Sequence, residues 1–177
     1  NIDSEYNINS QIERRLELDK LVKIISKGFI DAKNSDIDCM IDETLRRVGK
    51  FADADRSYIF QFHDDRMSNT HEWCADGVIP EKDILQDIPQ NILPWWMDKL
   101  KKGEHINIRS LSELPSEADA EKELLSRQYV KSLLVVPMSY LGSLRGFVGV
   151  DYVNRDIKVD DDDSHLFTAI SDMVMCS

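Results

Sequence analysis

Residues 132–153 carry the feature that most constrains this chain. Ser132-Leu133-Leu134-Val135-Val136-Pro137-Met138-Ser139-Tyr140 and Leu144-Arg145-Gly146-Phe147-Val148-Gly149-Val150-Asp151-Tyr152-Val153 flank the short segment Leu141-Gly142-Ser143. Two β-forming runs around a glycine-containing turn predict an antiparallel hairpin. Both runs are apolar on both faces. A strand tolerates that only with layers packed above and below it, so the hairpin belongs at the centre of a sheet covered on each side. Gly146 and Gly149 mark positions where another backbone or a ligand comes close.

Upstream the period is helical. Ile8, Ile12, Leu16, Leu21, Ile24 or Ile25, and Phe29 recur at helix spacing and predict an amphipathic helix within residues 1–30. Asn34-Ser35-Asp36 interrupts it and offers caps, and Ile37, Met40, Ile41, Leu45 and Val48 mark a second helix. From Arg56 the period becomes two: Tyr58, Phe60 and Phe62 share one side of a strand, Asp64-Asp65 turns the chain, and Met67–Ala75 returns. Residues 76–104 are less regular, with Pro80, Pro89, Pro94 and the pair Trp95-Trp96; a short helix is expected over Asn91–Lys102, ending at Gly103. His105–Arg109 reads as a short strand, and Pro115-Ser116-Glu117 opens a helix towards Gln128. The run Asp160–Asp163 leads into Leu166, Phe167, Ile170, Met173 and Val174, a closing helix over residues 160–177 with Asp160 as its N-cap. This order predicts one α+β domain over residues 1–177, an antiparallel sheet with helices packed on one face.

Composition narrows the partners. With 33 acidic residues against 22 basic ones, the chain lacks the basic face that nucleic acid or an anionic membrane requires. Its longest apolar run, Leu133–Met138, is too short to cross a bilayer, and residues 1–15 are too polar for a signal peptide. No membrane insertion and a cytoplasmic setting are therefore expected. Cys39, Cys74 and Cys176 form no CxxC pair, which predicts reduced, mostly buried thiols rather than a zinc site or a disulfide framework. The missing initiator Met and the helical pattern running into Ser177 read as a domain excised from a longer protein, or trimmed to its ordered part.

Several segments stand in a characteristic order. They are Ala54-Asp55-Arg56-Ser57-Tyr58-Ile59-Phe60 after the second helix, Glu72-Trp73-Cys74 in the returning strand, and Ser132–Met138 with Pro137 inside it. Gly146-Phe147-Val148-Gly149-Val150-Asp151 and the run from Asn154 through an Asp to Leu166 complete the set. Together they resemble the GAF domain over residues 15–176, and are similar in particular to GAF domains of sensor histidine kinases, as in two-component systems, and of diguanylate cyclases. The resemblance implies a PAS-related, five- or six-stranded antiparallel sheet. The N- and C-terminal helices would lie on one face, with an irregular helical segment over a ligand pocket on the other. It further implies a homodimer through residues 1–30 and 160–177 that couples an unknown small organic ligand to a downstream output domain, with no cofactor. The cyclic-nucleotide motif Asn-Lys-Phe-Asp-Glu is absent, since only Asn154-Arg155 and a later Asp remain, and no cysteine precedes a histidine as in bilin-binding members.

Nothing in the spacing points to catalysis or to a metal. His63, His71, His105 and His165 fall in none of the HxxE, HxH or HExxH patterns, and Asp160–Asp163 lacks the alternation and distal Glu of a calcium loop. The candidates are instead residues of a pocket wall. Phe60 and Phe62 either line a cavity or fill it, and His71 and Trp73 share one face of their strand. Trp95 and Trp96 diverge by about 100° on a helix, so one closes the core or pocket while the other is half exposed. Arg109 can meet an anionic ligand or a surface carboxylate, and Val136 and Met138 lie on the central hairpin. Asp151, at the end of an apolar strand, needs a partner or a raised pKa, and serves either as a ligand anchor or as a structural cap. The expectation is a non-enzymatic, regulatory sensing domain. A ligand-free dimerisation module is the alternative, and a redox enzyme like the free-methionine-sulfoxide reductases, resting on Cys74 alone, is the third.

Overall fold

The computed structural model describes residues 2–156 and 161–177. Helices α1 (Ile2–Asp31) and α2 (Ile37–Phe51) precede the hairpin β1 (Arg56–His63) and β2 (Arg66–Cys74). The proline-rich stretch holds the two-residue strand β3 (Ile88–Pro89) and helix α3 (Pro94–Lys101), which starts on a proline as helices tolerate and is followed by Gly103 at φ +72°. Strand β4 (Ile106–Ile108) and helix α4 (Asp119–Arg127) lead into β5 (Val130–Tyr140), β6 (Ser143–Val153) and the closing helix α5 (Asp161–Met175). The predicted N-cap, Asp160, lies outside the described residues.

The strands form one six-stranded antiparallel sheet in the order β3-β2-β1-β6-β5-β4. β6 is central, between β1 and its hairpin partner β5, as the two-sided apolar pattern requires. Close packing of strands accounts for its glycines. A Cβ at position 146 would sit 2.0 Å from the Phe60 carbonyl oxygen, and one at 149 would sit 2.7 Å from that of Leu134. The β5–β6 connection is the two-residue loop Leu141-Gly142, with φ of +49° and +78°, the positive values that a type I′ hairpin turn demands.

Each sheet face buries its own core. On one side α1, α2 and α5 pack Ile25, Leu45 and Phe167 against Leu134, Val136, Met138, Val148, Val150 and Tyr152. On the other, Leu133, Val135 and Phe147 meet Trp96 and Leu100 of α3 and Leu125 of α4. The terminal helices thus share one face, and the irregular segment covers the opposite one.

Two expectations need correction. The apolar positions of α1 do not form a single face: Leu18 and Ile25 are buried and Leu21, Val22 and Phe29 pack beside them, while Ile8, Ile12, Leu16 and Ile24 remain exposed. At 30 residues the helix outruns the sheet it rests on, and its first turns touch solvent all round. Nor are the thiols mostly buried, since Cys39 and Cys176 are exposed and Cys74 is half-buried.

Candidate functional site

The face covered by α3, α4 and the chain between β2 and α3 holds a cavity of about 50 Å³. Its floor is Tyr58, Phe60 and Phe147 of the sheet, and its roof comes from Leu85, Leu93, Trp96, Glu121 and Leu125. Phe60 and Phe147 stack with ring centroids 4.7 Å apart, and Trp96 meets Phe147 edge-on at 5.6 Å. A space of this size takes several waters or a compact molecule of a few heavy atoms.

The cavity has a polar end. Arg56, 2% exposed, donates from Nη2 to the Gln128 carbonyl at 2.9 Å and faces Glu81 at 3.4 Å and Asp151 at 3.8 Å. Tyr58 donates its hydroxyl proton to Asp151 Oδ1 at 2.7 Å. Burial pushes the Asp151 carboxyl up to about 6, against the opposing pull of the Arg56 charge and the Tyr58 hydrogen bond. Burial, together with the Asp151 carboxylate, holds the Tyr58 hydroxyl well above its ordinary range. Glu72 closes this end by accepting the backbone N–H groups of Glu81 and Lys82 at 3.1–3.2 Å, which ties the covering segment to β2. From the other side, Glu121 of α4 accepts the Trp96 backbone N–H at 3.0 Å in the first turn of α3.

The structure divides the predicted pocket residues between faces. Phe60, Trp96 and Asp151 line the cavity, and Phe62 packs against the same aromatic cluster. Trp95 is half-buried beside it with Lys99 Nζ 5.7 Å from its ring centroid, so the two tryptophans diverge as helix geometry requires. Arg109 is exposed, just beyond the end of β4. Val136 and Met138 are corrected to the helix-covered face: strand alternation places Leu133 and Val135 towards the cavity and the residues between and after them away from it. His71 and Trp73 also belong to the helix side, where His71 Nε2 lies 3.0 Å from Asp38 of α2 and the Trp73 ring rests over Gly49.

A β-bulge explains that last reversal. Ile59 pairs with His71 and Phe60 with Asn69, leaving Thr70 as an extra residue. Met67 and Asn69 therefore face the cavity, and beyond the bulge His71 and Trp73 turn away while Glu72 turns in. With the Asn69 amide oriented so that its nitrogen faces the carbonyls of His71 and Ile59, at 2.9 and 3.1 Å, the side chain braces the irregularity.

Of the polar end, only Asp151 stands out in the sequence. Arg56 and Tyr58 were findable, because they precede Phe60 at the strand period. Glu72, Glu81 and Glu121 carried no local signal, since each is one acidic residue among many until the fold brings it inward. Among the described residues no group of three or more His, Cys, Asp or Glu side chains is placed to hold a metal ion.

The sequence profile of the GAF domain matches residues 36–177. The methanogenesis regulatory histidine kinase FilI of Methanothrix harundinacea is 29% identical over 129 residues, 70% of this chain but only 14% of that protein's length. Among solved structures, the phycocyanobilin-bound GAF domain of a cyanobacterial phytochrome aligns with a TM-score of 0.76 at 18% identity, covering 90% of this chain and 92% of that one. The chromophore-binding domain of the Stigmatella aurantiaca bacteriophytochrome aligns with a TM-score of 0.69 at 14% identity, over 91% of this chain and 58% of that one. At such identities the structural likeness is one of fold.

Proposed function

The chain belongs to the GAF domain family, and from that premise we propose that it is a non-enzymatic, cytoplasmic sensing domain of a histidine-kinase-type signalling protein. Its candidate ligand site is the cavity between Phe60, Phe147 and Trp96, with the Arg56–Asp151–Tyr58 network at its polar end. The observation that carries this reading is the mainly apolar cavity with a few converging polar groups, the usual composition of a small-molecule site. It lies across the sheet from the helices that would transmit a signal. α1 and α5 pack on the same face and are joined by Arg14 Nη2 to Asp163 Oδ1 at 2.8 Å. A molecule that binds one arrangement of the covering segment better than another shifts its population, and the sheet between carries the difference to these helices.

Coupling would run through a homodimer. Ile8, Ile12 and Leu16 form an i, i+4, i+8 stripe that is more than half exposed, apart from Leu18 and Ile25, which pack on the domain. A second copy covering this stripe isologously would bury it. Among the described residues no helix is long and apolar enough to cross a membrane.

Native mass spectrometry of the purified chain tests both parts together. A dimer carrying a small co-purifying molecule is the expected result. The tight stacking of Phe60 on Phe147 and the small free volume favour one other reading, a ligand-free dimerisation module. A dimer at bare protein mass that no small-molecule library shifts would establish that reading instead, and a bare monomer would remove both.

A further inference from the structure

With the cavity taken as the ligand site proposed above, the polar atoms around it define the chemistry it accepts. Glu121 is 1% exposed. Its Oε1 accepts the Trp96 backbone N–H, whereas Oε2 has no hydrogen-bond partner among the described residues; Nε and Nη1 of Arg56 also lack hydrogen bonds but face the carboxylates of Asp151 and Glu81, and the Trp96 indole N–H is unpaired as well. A buried carboxylate oxygen without a donor is costly, and a donor supplied by a bound molecule removes that cost.

The charge balance selects the sign of that donor. Glu72, Glu81 and Asp151 also line the cavity, and Arg56 is the cation set against them. Its guanidinium already faces Glu81 and Asp151, leaving the carboxylate of Glu121, on the roof, without a counter-charge in the cavity lining. An entering anion would meet net negative charge in a low-dielectric space, and an entering cation would be attracted. Aromatic walls add to this preference, because ring faces are electronegative.

We infer that the cavity takes a compact organic ammonium, a primary amine on a short apolar stem, whose N–H groups are accepted by Glu121 Oε2. The bond is charge-assisted, among the stronger kinds of hydrogen bond in a protein. The stem packs on Phe60, Phe147 and Leu125, and the volume of about 50 Å³ keeps it to a few carbons.

Three three-carbon probes test the inference: n-propylamine, n-propanol and propionate, each titrated into the 15N-labelled chain. The readout is the indole N–H resonance of Trp96, assigned by its loss in Trp96→Phe. Propylamine is expected to shift it saturably, binding at least about tenfold more tightly than propanol, with propionate giving no saturable shift. Glu121→Gln retains an oxygen to accept the Trp96 backbone N–H, and its amide spectrum reports whether the fold is kept. This variant is expected to weaken propylamine about tenfold or more. Saturable binding of propionate or propanol without propylamine overturns the ammonium inference while leaving the cavity a binding site. Undiminished propylamine binding in Glu121→Gln removes the role of that carboxylate. If none of the three probes moves the Trp96 resonance, the inference and the ligand-site reading fall together.

Discussion

Tyr58 on β1 and Asp151 on β6 are joined by a 2.7 Å hydrogen bond beneath the cavity, with both residues buried. The hydroxyl supports the charged form of a carboxyl that burial would otherwise keep protonated, while Arg56 at 3.8 Å pulls in the same direction. Burial wins, and the carboxyl titrates at about 6 rather than 3.8.

Stability should therefore depend on pH through this residue. The folded chain binds the Asp151 proton more tightly than the unfolded chain does. The resulting stabilisation is complete below the unfolded value of 3.8 and is lost as pH rises through about 6. Asn at position 151 cannot ionise, so the stability of Asp151→Asn relative to the parent should rise by about 2 kcal/mol between pH 4 and pH 7. Urea unfolding across that range measures the difference; a pH-independent gap would contradict the assignment. Tyr58→Phe, by deleting the hydrogen bond, should move the midpoint above 6.

Gly49 provides the space for Trp73. A Cβ there would lie 2.4 Å from the indole ring, so Gly49→Ala forces the helix or the ring to move at a cost of about 1–3 kcal/mol, more than the gain of up to about 1 kcal/mol from helix propensity. In a Trp73→Ala background the same change should become stabilising. Thermal unfolding of the double-mutant cycle decides it, and equal effects in both backgrounds would remove the packing argument.

Glu72 holds the segment over the cavity through the N–H groups of Glu81 and Lys82. Hydrogen bonds to a charged acceptor are each worth about 1.5–3 kcal/mol, so Glu72→Ala should speed amide exchange at both positions by about tenfold or more. Exchange in the β5–β6 hairpin should not change. Hydrogen-exchange mass spectrometry resolves the two regions.

Leu141 occupies a left-handed backbone position at φ +49° with its side chain 88% exposed. A γ-branched side chain gains nothing there and carries the steric cost of that conformation. Leu141→Asn should stabilise the chain by about 1 kcal/mol, read as a higher urea midpoint at an unchanged slope.

The sequence by itself determined the helices, the two long hairpins and the placement of the apolar hairpin in the sheet interior, because period and two-sided apolarity report burial directly. It also located Phe60, Trp96 and Asp151 as residues worth watching. Only the tertiary structure decided which side of the sheet each residue serves. In β5, Leu133 and Val135 are as apolar as Val136 and Met138, so no pattern distinguishes the cavity side from the helix side. In β2 the extra residue at Thr70 reverses the alternation, carrying His71 and Trp73 away from the cavity and Glu72 towards it. Glu121 comes from another helix altogether. Its place in the cavity roof is a consequence of how α4 packs against α3, an arrangement made by contacts distant in the chain, to which local periodicity is blind.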